Sequence, residues 1–444
     1  MHIVDNSEGF HDYTRVMYKY RIEGGHPIKG TVKASGNKNA ALPCIAATLL
    51  TDQKVTLRNI PSIEDVDVML QVLTRLGATV ESDEEPGVYH ITCHNIKSSE
   101  IPSDLSKKVR ASILFAGPMV ARTGRIQLPP PGGDVIGRRR LDTHFLALEA
   151  LGARVDIDGI YKISTNKLVG VDLFLDEASV TATENAIMAA VLAEGRTLIE
   201  NAASEPHVQD LCNMLNSMGA KISGIGSNIL VIQGVSKLSG TDFSIGADFM
   251  EVGSFIGLAA VTRGELTIEN AAPQHLKMVK LGFAKLGVHW ETEGDTIHVP
   301  KGQSLKIVPD MGGMIPKIDD APWPGFPPDL MSIIITVATQ TEGTVLIHEK
   351  MFESRMFFVD KLIGMGAKIV LCDPHRAVIS GPARLSGSEL VSPDVRAGMA
   401  MVIAALAAEG QSEIQNIYQI ERGYENLSVR LQALGANIQR IPNS

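Results

Sequence analysis

Six stretches of the chain, residues 40–50, 112–121, 183–193, 251–261, 329–339 and 396–408, are apolar or alanine-rich around most of a helical circumference. A helix that is apolar on all sides must be buried on all sides, so the pattern predicts six interior helices. A Gly or polar turn and a short strand-like run follow, as in Lys54-Val-Thr-Leu-Arg-Asn59, Arg196-Thr-Leu-Ile-Glu-Asn201 and Glu265-Leu-Thr-Ile-Glu-Asn270. A connecting segment then leads to a second, amphipathic helix and one or two more strands.

The second helix of each unit closes on a recurring tripeptide: Leu76-Gly-Ala78, Leu151-Gly-Ala153, Met218-Gly-Ala220, Leu286-Gly-Val288, Met365-Gly-Ala367 and Leu434-Gly-Ala436, spaced 67 to 79 residues apart. Glycine is the residue that ends helices in a left-handed conformation, and periodic self-similarity marks repeated supersecondary units. The chain therefore reads as an α/β protein of six βαβαββ-like units, three in each of two domains, with helices inside and sheets outside. Residues 1–18 precede the first repeat and read as a loosely held extension. The Gly- and Pro-rich segment 301–328 reads as a long loop.

Length agrees, because 444 residues exceed what one ordinary core accommodates. The longest apolar run, residues 330–338, is too short to span a bilayer, and the polar N-terminus lacks the regions of a signal peptide. A cytoplasmic location is the expectation. Four widely spaced cysteines, Cys44, Cys93, Cys212 and Cys372, fit reduced thiols. A net charge of −9 argues against nucleic acid or an anionic membrane as the main partner. An anionic ligand would need locally concentrated positive charge.

Such concentrations recur at two stations of the unit. The first is the start of the buried helix, which carries Lys38 and Asn39, Arg110, Ser179 to Glu184, Glu251, Asp329, and Asp394 with Arg396. N-capping accounts for Asp329 and Asp394. It does not account for Lys38, Arg110 or Arg396, since cations are disfavoured at a helix N-terminus unless an anion arrives. The second station, between the short strand and the second helix, holds Asp134 and Arg139, Arg355, and Arg422. Asp134 lies in Leu128-Pro-Pro-Pro-Gly-Gly-Asp134, ahead of Arg138, Arg139 and Arg140. Taken alone, that stretch fits either a charged surface hairpin or a lid carrying an acid beside an anion clamp. Convergence of both stations on a cleft would suit a substrate with at least two anionic groups, with the carboxylates as proton carriers. His90-Ile-Thr-Cys93-His94 is a poor metal site, because Cys93 faces away from the two histidines in a strand. Trp290 and Trp323 read as packing residues.

Ser35-Gly-Asn-Lys-Asn-Ala-Ala-Leu-Pro43, Arg110-Ala-Ser112, Pro131-Gly-Gly133, Asn201-Ala-Ala203, Phe326-Pro-Pro-Asp329 and Glu421-Arg-Gly-Tyr-Glu425 occur in the order in which the enolpyruvyltransferases carry them. From about Ile22 to Ile441 the chain resembles that family. The resemblance implies a two-domain inside-out α/β prism, with one domain at 38–247 and the other at 19–37 plus 248–444. It also implies transfer of the enolpyruvyl group of phosphoenolpyruvate to the 3-hydroxyl of UDP-N-acetylglucosamine with release of phosphate, in peptidoglycan synthesis, with no metal or organic cofactor. A paralogue acting on another nucleotide sugar, the sister activity on shikimate-3-phosphate and a non-catalytic UDP-sugar-binding paralogue remain as alternatives, and the oligomeric state is open.

By the same resemblance Lys38, Asn39, Arg139, Arg355, Arg396 and Arg422 hold phosphoenolpyruvate. Asn39, Arg110, Arg139, Arg140, Leu141, Asp142, Thr143, Ser179, Val180, Asp329 and Met351 line the UDP-sugar site. Asp329 would accept the sugar hydroxyl proton, Asp394 would assist at the enolpyruvyl methylene, Asp134 would donate a proton from the lid, and Lys38 would act beside them. Most members carry cysteine where this chain has Asp134, which implies resistance to the thiol-alkylating epoxide fosfomycin. Glu177 stands where many members have a basic residue, Phe249 replaces a usual arginine, and Arg140 replaces a usual proline.

Overall fold

The repeat takes physical form as six sheets. In the computed structural model, which describes residues 17–132 and 140–443, five sheets have four strands and one has three. The third unit shows the plan. A short edge strand, Asp172–Phe174, runs parallel to Arg196–Glu200, which pairs antiparallel with Ile229–Gln233, and that strand pairs antiparallel with Lys221–Ser223. Between the first two strands lies the buried helix Val180–Ala190, and the amphipathic helix Pro206–Ser217 precedes the last two. Helices line the interior and sheets face outward.

Two conformational demands explain why the repeat is visible in the sequence. The tripeptide glycines Gly77, Gly152, Gly219, Gly287, Gly366 and Gly435 have φ of 111°, 99°, 101°, 75°, 107° and 87°, a region that side chains with a Cβ avoid. Asn59, Asn201, Asn270 and Asn416, at the ends of the short strands, also sit at positive φ, between 53° and 58°. Asparagine tolerates that conformation. Its amide reaches back to the segment after the parallel edge strand, bonding Ile245 O at 2.9 Å from Asn59, Leu175 O at 2.9 Å from Asn201 and Ser392 O at 2.8 Å from Asn416.

The buried apolar residues form two clusters. One gathers side chains from Ala40 to Ile245, and the other gathers Tyr20 to Ala34 together with Ala247 to Ile438. Three sheets are completed from far away in sequence, one of them by Lys29–Lys33, which runs parallel to Glu265–Glu269. Asp242–Ser244 supplies the edge strand beside Val55–Arg58. Tyr18–Glu23 lies between Gln411–Gln415 and Asn437–Pro442.

Three expectations need correction. Tyr18, placed in the N-terminal extension, opens a central strand and pairs with Pro442. Residues 301–328 are not loop throughout, since Lys317–Asp319 is the parallel edge strand of its sheet, in register with Leu346 to His348. A three-residue strand leaves too little alternation to read. In the second unit the edge strand shrinks to one bridge, Glu100 to Gln127, which leaves three strands.

Candidate functional site

Two triads, each a carboxylate held between two cations, bring together residues from distant parts of the chain. Asn37 caps the helix Lys38–Ala47, its side-chain oxygen accepting from Asn39 N at 2.8 Å and Ala40 N at 3.2 Å. Gly36, just before it, has no room for a side chain, since a Cβ would fall 1.7 Å from Asn59 O. This fixes Lys38 at the first helical position, with Nζ 2.6 Å from Asp65 Oδ2. Asp65 is in the first turn of Glu64–Leu76, and its other oxygen accepts from Arg422 Nε at 2.8 Å. Arg422 Nη2 also donates to Lys108 O at 3.0 Å. Lys38, Asp65 and Lys108 belong to the half of the chain that holds the first cluster, and Arg422 to the other half. Burial would raise the Asp65 carboxyl, but Lys38 and Arg422 outweigh it and hold the group below its ordinary value.

The second triad is Asp329, Arg355 and Arg396. Asp329 lies in the turn Pro328–Leu330 that leads into the helix Met331–Thr339. Its Oδ1 accepts from Arg355 Nη2 at 2.7 Å and its Oδ2 from Arg396 Nε at 3.1 Å. Asp329 is therefore not the helix cap the sequence suggested. Asp394 is a cap, accepting from Arg396 N at 2.8 Å and Ala397 N at 3.0 Å. Arg396 Nη1 donates to Tyr424 Oη at 3.2 Å, and that hydroxyl is 2.9 Å from Ser254 Oγ. Despite burial, the two guanidiniums hold the Asp329 carboxyl far below the usual range.

The triads answer the puzzle of cations at helix starts, at least for Lys38 and Arg396. The anions that offset them are internal carboxylates: Asp65, from the second helix of the same unit as Lys38, and Asp329, from the unit before that of Arg396. His207 lies near this second triad. It is buried, with Nδ1 lacking a partner among the described residues, and burial pushes it down to about 4 against the opposing charge of Asp329. Glu205, two residues earlier, is raised by burial although it accepts backbone hydrogen bonds, one of them from Trp323.

A third group lies around residues 140–143. Arg140 pairs with Asp142, and its Nη2 is 3.8 Å from Asp176 Oδ2. Thr143 Oγ1 donates to Asp176 Oδ1 at 2.7 Å, and Arg110 Nη2 donates to Arg140 O at 3.3 Å. Arg140 also feels the charge of Glu177. Two of the four departures from the family pattern, Arg140 and Glu177, are therefore neighbours of opposite charge. A third, Phe249, is fully buried with its ring 5.6 Å from that of Trp323. Leu141 is buried, and Ser179 precedes the helix Val180–Ala190 without capping it. Met351 is partly exposed, and its N–H is 3.3 Å from both Asp320 Oδ2 and Glu349 Oε1.

Asp134 and Arg139 lie outside the described residues. The stretch leading to them is anchored, with Ser106 Oγ donating to Pro129 O at 3.0 Å and Gly132 N to Ser106 O at 3.0 Å. Sequence reasoning missed Asp65, Tyr424, His207 and the Asp320–Glu349 pair. Only Tyr424 had a signal, inside the Glu421-Arg-Gly-Tyr-Glu425 motif; the others occupy ordinary helix, strand-end and turn positions. Among the described residues no group of three or more His, Cys, Asp or Glu side chains is arranged to hold a metal ion. No described helix is long and apolar enough to cross a membrane.

The sequence model of the family described as EPSP synthase (3-phosphoshikimate 1-carboxyvinyltransferase) matches residues 22–431. The UDP-N-acetylglucosamine 1-carboxyvinyltransferase of Treponema denticola is 67% identical over 423 residues, covering 95% of this chain and 99% of that protein. The enzymes of the same name from Borreliella burgdorferi and Bacteroides thetaiotaomicron are 60% and 51% identical, each over 96% of this chain and 99% and 100% of their own lengths. Among solved structures, the enolpyruvyl transferase NikO from Streptomyces tendae has a TM-score of 0.86 at 22% identity, covering 97% of this chain and all of that one. EPSP synthase from Acinetobacter baumannii has a TM-score of 0.74 at 18% identity, over 96% of this chain and all of that one. At such identities the structural likeness speaks to the fold, which is theirs.

Proposed function

Because the chain belongs to the enolpyruvyltransferase family, we propose that it transfers the enolpyruvyl group of phosphoenolpyruvate to the 3-hydroxyl of UDP-N-acetylglucosamine, the first committed step of peptidoglycan synthesis. The observation that carries the choice of acceptor is the near full-length identity of 67% to a relative of that name. The setting is the cytoplasm.

The chemistry is addition followed by elimination. The sugar O3 bonds to C2 of phosphoenolpyruvate while a base takes its proton and an acid protonates C3, giving a tetrahedral phospho-ketal. A proton then leaves C3, the C2–O bond to phosphate breaks, and phosphate departs with the electron pair. Cations facing that phosphate stabilise its developing charge. We assign Lys38, Asn39, Arg139, Arg355, Arg396 and Arg422 to phosphoenolpyruvate. Asn39, Arg110, Arg139 to Thr143, Ser179, Val180, Asp329 and Met351 go to the nucleotide sugar. Asp329 takes the hydroxyl proton, Asp394 assists at the methylene, and Asp134 supplies the lid proton.

The second triad constrains this assignment. With Arg355 and Arg396 on its two oxygens, Asp329 is a poor base. An anionic substrate that draws the guanidiniums toward itself restores basicity to Asp329, so the base is armed only when phosphoenolpyruvate is present. The function is tested by phosphate release with phosphoenolpyruvate and either UDP-N-acetylglucosamine or shikimate-3-phosphate as acceptor. Turnover with the first alone is expected. Turnover with the second alone, or binding of UDP-N-acetylglucosamine without turnover, overturns the reading.

A further inference from the structure

A hydrogen-bond chain behind the start of the helix Val180–Ala190 has a fixed direction. Asn185 is buried on that helix. Its Oδ1 accepts from Gly117 N at 2.7 Å and its Nδ2 donates to Ile113 O at 2.9 Å. A backbone N–H on one side and a carbonyl on the other permit only this orientation of the amide. The second Nδ2 hydrogen therefore goes to His144 Nδ1, at 2.8 Å. That nitrogen must carry the lone pair, so in the neutral ring the proton sits on Nε2, which lies 3.1 Å from Thr181 Oγ1 and donates to it. A doubly protonated ring would set one N–H against another. Burial and the nearby charge of Arg110 also disfavour it, pushing the ring down to about 3.

Thr181 is thus forced to receive from His144, and its own O–H must donate elsewhere. It is half-buried in the first turn of its helix, beside Val180, and its proton has no acceptor among the described residues. We propose that Thr181 is a positioning residue for the nucleotide sugar, its hydroxyl held by Asn185 and His144 so that it donates to a diphosphate oxygen of UDP-N-acetylglucosamine. The inference rests on the function proposed above. A diphosphate oxygen is an acceptor only, which suits a hydroxyl left only with a proton to give. The surroundings favour it too, since Ser179 makes no capping bond and the first turn holds no acidic side chain, so no side chain there caps or repels an anion at the helix start.

The test compares wild type, Thr181→Val and Thr181→Ser in steady-state kinetics and in calorimetric binding of UDP and UDP-N-acetylglucosamine. Thr181→Val keeps shape but loses the donor. It should raise KM for UDP-N-acetylglucosamine about tenfold, leaving kcat and KM for phosphoenolpyruvate within about twofold and the melting temperature unchanged. Thr181→Ser should return KM close to wild type. UDP alone should weaken for Thr181→Val by the same factor, and a loss confined to the whole sugar nucleotide refutes the diphosphate assignment. A Thr181→Val enzyme with unchanged KM refutes the positioning role while leaving the function intact. A wild-type protein that neither binds nor turns over UDP-N-acetylglucosamine removes both.

Discussion

Asp65 is the most exacting place to test this account, because one carboxylate neutralises two cations from opposite halves of the molecule. Asp65→Asn keeps the volume and removes the charge. Lys38 Nζ and Arg422 Nε, at 2.6 and 2.8 Å from the two Asp65 oxygens, would then face each other with no counter-ion. Asp65 is 3% and Arg422 6% exposed, so this is a buried pair, and removing one partner costs about 3–5 kcal/mol. With an unfolding entropy of about 2.1 cal/mol/K per residue over 444 residues, the melting temperature should fall by about 3–5 °C if both halves melt together. Scanning calorimetry measures this. Two further signatures separate the charge effect from a packing defect. Inorganic phosphate should restore more stability to Asp65→Asn than it adds to wild type, because the freed cations form a stronger anion site. The pH dependence follows from linkage. The folded Asp65 carboxyl lies below its unfolded value, so its contribution is full above the unfolded pKa of ~3.9 and is lost as pH falls through the folded one. Wild type should lose its advantage over Asp65→Asn on acidification. A variant that melts with wild type at neutral pH and gains nothing extra from phosphate would refute the reasoning.

Asp329→Asn should lower kcat by about 10²–10⁴-fold and destabilise by about 3–5 kcal/mol, since it removes the proposed base and leaves Arg355 and Arg396 uncompensated; near wild-type kcat would exclude Asp329 as the base. Glu349 is pushed up to about 9, by burial first and then by its hydrogen bond with, and the charge of, Asp320. A raised carboxyl pKa means stability is full below the unfolded value of ~4.3 and declines as pH rises toward 9, so melting temperatures of wild type should drop from pH 6 to 9 more than those of Glu349→Gln, and parallel curves would contradict the shift. Fosfomycin should fail to inactivate wild type over time and should inactivate Asp134→Cys, which a time course of residual activity checks.

What was legible in the sequence, and what was not, follows from where each constraint acts. The unit is readable because Gly77, Gly219 and Asn201 occupy backbone conformations that few residues tolerate, so every copy keeps the mark. The all-round apolar helices are readable because burial on several sides removes the polar face. Asp65 was invisible because an acid in the first turn of an amphipathic helix looks like ordinary dipole compensation, and only tertiary structure brings Lys38 and Arg422 to it. Asp329 was misread as a cap for a similar reason, since a carboxylate before an apolar helix is the usual sign of one. Lys38 and Arg396 stand out at their helix starts and suggest an anion from outside, whereas Asp65 and Asp329 supply the counter-charge from within. His144 escaped notice because the direction of a hydrogen bond leaves no trace in composition or spacing.

The strand Tyr18–Glu23, paired between Gln411–Gln415 and Asn437–Pro442, sets a timetable for a nascent chain. Sheets drawing only on residues up to Asp242–Ser244 have all their strands once that segment leaves the ribosome. Tyr18–Glu23 and Lys29–Lys33 emerge before those strands, yet the second must await Glu265–Glu269 and the first must await Gln411–Gln415 and Asn437–Pro442. Once Asp242–Ser244 is made, then, both early strands still trail with unpaired edges from a half that has its partners, and Tyr18–Glu23 stays so until Gln411–Gln415 is made. Such edges invite wrong pairing, so it is the segment from Tyr18 to Lys33, made long before its partner strands, that most needs shielding during synthesis.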